Sequence, residues 1–580
     1  MDDKARVRNN LCWKIGGPAG FGIAVAGTML AKACMRAGLN AFMVSENPSL
    51  IRGGHNHVTV HVRDREVHSH LARIDLLVAL DQMTADTHAK NVAHGGGIIY
   101  DPEEVETGKG PGVNLFKVPI KKLCEARGGL MMRNTVAIGA TAGLLDFDTG
   151  FTESVMRDAF ARKGGKVIDM NIEALKAGYG YAKENYPGGS GFILEKGKAP
   201  GSILVSGNEA VALGAIKAGC KFMSAYPMTP ATGVMETMAR FAGQFGLVVR
   251  QVEDEIAAIN MAIGASFAGA RAMTATSGGG FCLMTEGLGL AMQTETPLVV
   301  VECQRPGPAT GMATRTGQGD LRFVLHASTD DSPRFVIAPG DMEEAFSLTV
   351  KAFDLAERYQ MPAILLLDKF LGMSYATVPA FKADEPVRRH IPSDREAARF
   401  KDYKRYAHTD GVVSPRTVPG QKGGTFWASS YEHMEEGHEC EDKENRVWMA
   451  RKRFLKLALA AKDIPAPRLY GTGGADITII GWGSTKGPVR EGMLMLEGKG
   501  AKASHLHVNF ISPFPKEAVA KAIKQAGKTL VVENNQSGQL AGLIKQETGL
   551  DVDYTLLKYD GRPFFPEEIC KHTLKIMGGR

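Results

Sequence analysis

Three acidic residues in a row, Glu253, Asp254 and Glu255, stand where the apolar stretch GLVVRQV gives way to a helical pattern. Carboxylates at a helix N-terminus are stabilised by its dipole, so a cap is one reading and a functional carboxylate the other. The helix that follows, IAAINMAIGASFAGA, is built of small residues and lets another backbone or subunit approach closely. Arg305 and Arg315 lie in QRPGPATGMATRTGQGDL, an irregular Gly-, Pro- and Thr-rich loop after a strand. Such a loop is ordered by a purpose, and the bland alternative is a solvated arginine. Near the start, Gly16-Gly17-Pro18-Ala19-Gly20-Phe21-Gly22 follows a strand and opens a helix. Backbone N–H groups there could cradle a phosphate, or the glycines could serve only a tight turn. The spacing is not G-x-G-x-x-G, so the dinucleotide fingerprint fails. Glu46, at the end of the next strand, could hold a ribose hydroxyl, and Arg52-Gly53-Gly54 adds a cation and pliant backbone near the same sheet end. His55, His57, His61, His68 and His70 cluster in sequence, with His55 and His57 on one face of a strand. A metal site is conceivable, but no Cys or acidic pattern completes it, so the reading is a polar strand face and no metal.

The elements that must position these residues form alternating strands and helices. In the first segment, residues 11–15 read as a strand, 16–22 as a loop, and 23–37 as a helix capped by Gly38; strands follow at 41–45, 57–62, 76–80 and 97–100, and a helix near 152–162. A Gly-Gly-Ser-Gly run at 188–191 marks a linker. The second segment repeats strand, polar or Gly-rich turn, helix: ILVSG, KFMSAYP, GLVVRQV, RAMTATS, PLVVVEC and PAILLLD are its strands. Helices open near 208, 232 and 255, after Gly278-Gly279-Gly280, and at 341. Alternation of this kind predicts parallel sheets with helices on their faces, and ligands at the carboxyl ends of the strands. Residues 375–450 are charged and lack apolar periodicity, which predicts an extended connector ordered by packing. A last α/β unit has strands ITIIGWG, ASHLHVN and TLVVEN, with helices opening near 485, 515 and 537. The expected domains are 1–190, 200–375, an extended charged connector at 376–470, and 471–580.

At 580 residues the chain suggests several domains. With 44% hydrophobic and 23% charged residues it is globular rather than disordered. A net charge of +6 over this length does not support a nucleic-acid binder. Glycine is in excess, 68 residues against roughly 41 at the usual ~7%. The N-terminus MDDKARVRNN lacks the apolar core of a secretory signal, and no apolar run approaches a membrane span. The eight cysteines contain no CxxC pair, which speaks against a disulfide framework or an iron–sulfur cluster. The expectation is a cytoplasmic protein with reduced thiols.

The middle of the chain resembles the alpha subunit of the 2-oxoacid:ferredoxin oxidoreductase family. The resemblance rests on Ala225-Tyr226-Pro227-Met228-Thr229-Pro230, Val252-Glu253-Asp254-Glu255, Thr276-Ser277-Gly278-Gly279-Gly280-Phe281, Leu283-Met284-Thr285-Glu286 and the 304–321 loop. The first segment, with GGPAGFG and SENPSLIRGGHNHV, resembles the family's gamma subunit, and the last its transketolase C-terminal-like domain. Two departures show: YPMTP for the usual YPITP, and TSGGG for the usual TSGPG.

The resemblance implies several α/β parallel-sheet domains, among them a pyrimidine-binding domain of the thiamine diphosphate enzymes. It implies oxidative, reversible decarboxylation of a 2-oxoacid to acyl-CoA and CO2 with two reduced ferredoxins, using thiamine diphosphate, Mg2+ and iron–sulfur clusters. No Gly-Asp-Gly motif followed by an Asn pair is present, nor a cysteine set for a cluster. So a beta subunit is expected to supply the diphosphate site, Mg2+ and a [4Fe-4S] cluster, in an (alpha-beta)2 heterotetramer that passes electrons to ferredoxin. Gamma fusion makes 2-oxoglutarate the first substrate, as in the reductive TCA cycle; pyruvate, another 2-oxoacid, or a non-catalytic regulatory or scaffold subunit are the alternatives. A nucleotide-binding oxidoreductase using the Gly-rich loop is a further rival. By motif, Glu255 contacts the aminopyrimidine, Thr229 bonds the substrate near its keto oxygen, Arg315 holds its carboxylate, and Tyr226 is a further substrate-binding candidate. Arg305 is a candidate for a second, distal carboxylate, and Gly17, Gly20, Gly22 and Arg52 are candidates for CoA.

Overall fold

The computed structural model describes residues 6–48, 54–108, 110–125, 127–199, 201–382, 386–471 and 474–578. The chain divides into two compact units: Met1–Val205 with Ser374–Ala380 and Phe565–Glu568, and Ser206–Met373 with Phe381–Phe564 and Ile569–Arg580.

The first unit is built on an eight-stranded sheet in the order Asn114–Lys117, Val92–Tyr100, Ile74–Ala79, Asn10–Pro18, His55–Arg63, Asn40–Glu46, Tyr375–Pro379, Ser202–Ser206. The first four are parallel. His55–Arg63 runs antiparallel to both its neighbours, and Tyr375–Pro379 antiparallel to Asn40–Glu46. The sheet is therefore mixed where sequence alternation predicted a parallel one. Fewer residues separate Asn40–Glu46 from His55–Arg63 than the dozen or so a parallel crossover needs, and the two strands pair antiparallel.

Asn10–Pro18 also runs past the expected strand end. Gly16 pairs with His57, Gly17 with Asn56 and Pro18 with His55, so the loop begins only after Pro18. Packing demands these glycines: a Cβ on Gly16 would stand 2.7 Å from the Thr84 side chain, and one on Gly17 3.2 Å from Ile23 and Leu80. The helix Ile23–Arg36 then buries Ile23, Ala26, Met29, Leu30 and Ala33 on the sheet and stops one residue before Gly38, which takes φ 76°. The run at 188–191 is packed rather than a loose linker. Ser190 is buried, its N–H donates to the Leu144 carbonyl at 2.8 Å, and Phe192–Ile193 pairs with Val7–Arg8.

The second unit carries a seven-stranded sheet in the order Val248–Gln251, Cys220–Ala225, Arg271–Thr276, Leu298–Gln304, Pro362–Asp368, Phe335–Ile337, Phe510–Ser512. All neighbours are parallel except the last pair. Leu298–Gln304 and Pro362–Asp368 are buried along their whole length, as strands covered on both faces must be. A five-stranded sheet follows, in the order Arg468–Tyr470, Ala503–His507, Ile477–Gly481, Thr529–Glu533, Tyr554–Leu557, parallel but for its first strand. One hydrophobic core joins both sheets, running from Ile259 and Phe281 through Val300 and Ile364 to Trp482, Val531 and Leu540.

The charged stretch after residue 381 has little regular structure up to Asp442, then forms the helix Lys443–Ala460. Its charges are not all solvated. Glu295, fully buried, is bridged at 3.0 Å by Lys452 and by Lys456, with Arg405 at 3.9 Å. Together these cations hold the Glu295 carboxyl below its usual range despite burial. Burial pushes Lys456 down to about 7. Among the described residues no helix is long and apolar enough to cross a membrane.

Candidate active site

Four adjacent strands of the seven-stranded sheet deliver the candidate residues at their carboxyl ends. Cys220–Ala225 leads to Tyr226 and Thr229, Val248–Gln251 to Glu255, Arg271–Thr276 to Gly278–Gly280 at the start of a helix, and Leu298–Gln304 to Arg305. Each strand end passes into a polar or glycine turn, then a helix; this is the edge at which open α/β sheets bind ligands.

Glu255 is the first residue of the helix Glu255–Phe267 and is 3% exposed. The cap is its neighbour: Asp254 accepts the Ala257 N–H at 2.7 Å. Glu255 is thus released from capping, and its buried Oε1 has no hydrogen-bond partner among the described residues. Burial raises its pKa, the Asp254 charge adds to that, and Arg305 opposes it. Gly280 makes the space for this carboxyl. A Cβ there would fall well under 3.0 Å from both Glu255 Oε1 and Thr276 Oγ1.

Arg305 is brought into the same group. Its Nη1 donates to the Thr229 carbonyl at 2.7 Å, while its Nε is buried with no partner among the described residues. Burial lowers its pKa, and Glu255 and Glu302 raise it in part. Thr229 precedes a cis peptide to Pro230, whose carbonyl accepts from Asn208 Nδ2 at 2.8 Å. Tyr226 is exposed at the strand end. Arg315 is half-buried further along the loop, its N–H donating to the Met312 carbonyl at 3.0 Å; a Cβ on Gly561 would stand 3.2 Å from Arg315 Cβ.

The CoA candidates lie in the first unit. Gly17 is buried within its strand, Gly20 is exposed at φ 92°, and Gly22 at φ 70° is the N-cap of Ile23–Arg36 with no side-chain cap. Arg52 lies outside the described residues.

The chain is 33% identical to "2-oxoacid:ferredoxin oxidoreductase subunit alpha" of Sulfolobus sp, over 98% of this chain and 97% of that one. This chain belongs to the 2-oxoacid:ferredoxin oxidoreductase family, as an alpha subunit. It is also 28% identical to "2-oxoglutarate oxidoreductase subunit KorA" of Mycobacterium tuberculosis, over all of this chain and 93% of that one. Among solved structures it is similar to "2-oxoglutarate:ferredoxin oxidoreductase from Magnetococcus marinus with 2-oxoglutarate, coenzyme A and succinyl-CoA bound", at 33% identity, 98% and 99% coverage and a TM-score of 0.92. Three family models match in turn: "Pyruvate ferredoxin/flavodoxin oxidoreductase" at residues 12–181, "Pyruvate flavodoxin/ferredoxin oxidoreductase, thiamine diP-bdg" at 213–452, and "Pyruvate:ferredoxin oxidoreductase core domain II" at 475–569.

The residues present fit the thiamine diphosphate that this oxidoreductase family uses. A buried carboxyl oxygen without a partner, and a glycine in a space that a Cβ would fill, make a place for a polar group. Of the two departures from the family pattern, Met228 brings its sulfur 3.8 Å from Thr276 Oγ1, and Gly279 has only the Ala309 carbonyl, at 3.7 Å, near an added Cβ.

Sequence reasoning missed a carboxyl pair beneath this edge. Glu302, fully buried, lies close enough to Asp320 to feel its charge. Burial and the Asp320 charge push Glu302 well above the carboxylate range, and burial raises Asp320 to about 6. The available signal was a lone acid inside the apolar run PLVVVEC.

Proposed function

We propose that this chain is the alpha subunit, with its gamma-type segment fused, of an enzyme converting 2-oxoglutarate, CoA and oxidised ferredoxin to succinyl-CoA, CO2 and reduced ferredoxin, reversibly. The observation that carries the chemistry is Glu255, a buried, uncapped carboxyl with one oxygen unpartnered among the described residues. The choice of 2-oxoglutarate is supported by the similarity to the Magnetococcus marinus enzyme, whose structure holds that acid and both CoA species.

Thiamine diphosphate, when bound, supplies the electron sink for loss of CO2. Glu255 would hold its aminopyrimidine, and burial, which raises the pKa of the carboxyl, favours its taking up a proton. Arg305 fixes the Thr229 turn through the 2.7 Å bond and keeps positive charge beside Glu255. Thr229 and Tyr226 line the substrate's keto group, and Arg315 pairs with its C1 carboxylate, which a guanidinium matches with two parallel hydrogen bonds. The loop at Gly20 and Gly22 serves CoA. A beta subunit completes the site with the diphosphate and Mg2+ ligands and a [4Fe-4S] cluster, in an (alpha-beta)2 assembly. An apolar surface beside Glu255, with Ile256 51%, Met261 41% and Leu283 48% exposed, supports a subunit contact there.

The test is Glu255→Gln in the assembled enzyme. Turnover should fall by about 10²–10⁴-fold, with assembly unchanged by size-exclusion chromatography. Normal turnover would return Glu255 to a structural role. On the wild type, a kcat/KM for pyruvate above that for 2-oxoglutarate would overturn the substrate assignment.

A further inference from the structure

In the first unit, two strand histidines meet a third that sequence proximity did not suggest. His55 and His57 point from one face of the strand His55–Arg63, and His88 ends the helix Gln82–His88. The Nε2 atoms of His55 and His88 are 2.9 Å apart, and ring centroids lie at 5.3 Å for His55–His57, 5.0 Å for His55–His88 and 4.7 Å for His57–His88. One nitrogen from each ring falls within 4.8 Å of the others. Gly16, cross-strand from His57, keeps the space open: a Cβ there would stand 2.9 Å from the His55 ring. The rings are sheltered, His88 buried and His55 and His57 half-buried. The buried Nδ1 of His55 has no hydrogen-bond partner among the described residues.

We infer that His55, His57 and His88 form a binding site for a divalent transition-metal ion. Zinc bound at about 2.0–2.1 Å in a tetrahedron places its ligand nitrogens roughly 3.3–3.4 Å apart. The 2.9 Å pair therefore has to open by only about 0.4 Å. Three histidines leave the fourth position to water. The nearest charges oppose one another. Lys14, buried in the neighbouring strand, lowers the pKa of both His55 and His88, and Asp81 raises that of His55. The ion would tie the start of the strand His55–Arg63 to the end of the helix Gln82–His88.

The full-length chain, purified in its assembly, is dialysed against Zn2+ and then buffer, and its zinc is measured by mass spectrometry. A competing chromophoric chelator gives the affinity, and Co2+ substitution gives a visible spectrum. Wild type should hold about one more zinc per chain than His57→Ala or His88→Ala. Each variant should weaken binding by more than the about 10- to 100-fold that losing a mere supporting residue costs. His68→Asn should bind as the wild type does. Because His57 is half-buried, its alanine variant tests the site even where His88→Ala does not fold. Equal zinc in wild type and His57→Ala, or a Co2+ spectrum indifferent to that change, would overturn the site and leave only a histidine–histidine hydrogen bond.

Discussion

Gly280→Ala tests the active-site geometry without touching a titratable group. Gly280 lies in the helix Gly278–Leu283 and is not among the positive-φ glycines, so alanine suits its backbone. Alanine is favoured over glycine in a helix by roughly 0.8–1 kcal/mol, which offsets part of the 1–3 kcal/mol that overpacking typically costs. The added Cβ would nevertheless fall well under 3.0 Å from Glu255 Oε1 and Thr276 Oγ1. Thr276 is fully buried in its strand, so the Glu255 carboxyl must yield, by on the order of 1 Å. A displacement of that size costs about 10²-fold in rate when the displaced group must be in place for reaction. The assay is CoA-dependent reduction of ferredoxin by 2-oxoglutarate in the assembled enzyme. kcat should fall about 100-fold, with little change in melting temperature. The control is Gly279→Ala, whose Cβ would meet only the Ala309 carbonyl at 3.7 Å and should be silent. Full activity in Gly280→Ala would show that the position of the Glu255 carboxyl does not matter.

Further outcomes follow from buried charge. Glu295→Gln removes the one anion among Lys452, Lys456 and Arg405 and should cost about 3–5 kcal/mol; faster hydrogen exchange in the helix Lys443–Ala460 reports it, and unchanged exchange refutes it. Glu302 and Asp320 have folded-state pKa values raised by burial, so their stabilising effect is complete at low pH and is lost as pH rises through about 6 and above. Glu302→Gln removes one of the two raised carboxyls and should flatten the fall in melting temperature as pH rises from the ordinary carboxylate range through about 6; parallel curves would refute the coupling. Arg315→Ala should lower kcat/KM by roughly 30- to several-thousand-fold, the equivalent of about 2–5 kcal/mol for truncating a buried charge pair. The loss should be similar for 2-oxoglutarate and pyruvate; a loss confined to 2-oxoglutarate would move Arg315 to the distal carboxylate.

What could be read from sequence was local, and what could not was brought about by topology. The helix starts expected near 208, 255 and 341 fall within one residue of Gly207, Glu255 and Met342, where Ser206, Asp254 and Asp341 each accept a backbone N–H. The helices Arg133–Leu144 and Gly165–Asn185 were missed. The first is buried at almost every position, so it has no polar face to give a period. A Cβ on Gly139 or Gly178 would fall well under 3.0 Å from the other helix's backbone, so these two helices pack backbone to backbone. The glycine run at 188–191, read as a linker, is held by the Ser190 N–H on the Leu144 carbonyl.

The candidate site divides in the same way. Glu255, Arg305 and Arg315 could be singled out because each follows a strand end in its own stretch of sequence, and Tyr226 and Thr229 through the family resemblance. Their relations could not be named. The Arg305 bond to the Thr229 carbonyl spans 76 residues, and the Glu302–Asp320 pair crosses the whole glycine-rich loop. The cap reading of the acidic triplet did not say which member caps. Asp254 takes the N–H, and that is what leaves Glu255 with a buried oxygen to offer. Burial then works in opposite directions on neighbouring groups, raising the pKa of Glu255 and lowering that of Arg305. Each restrains the other's shift, so removing the arginine should raise the Glu255 pKa further, and the reactivity of the carboxyl is a property of the pair.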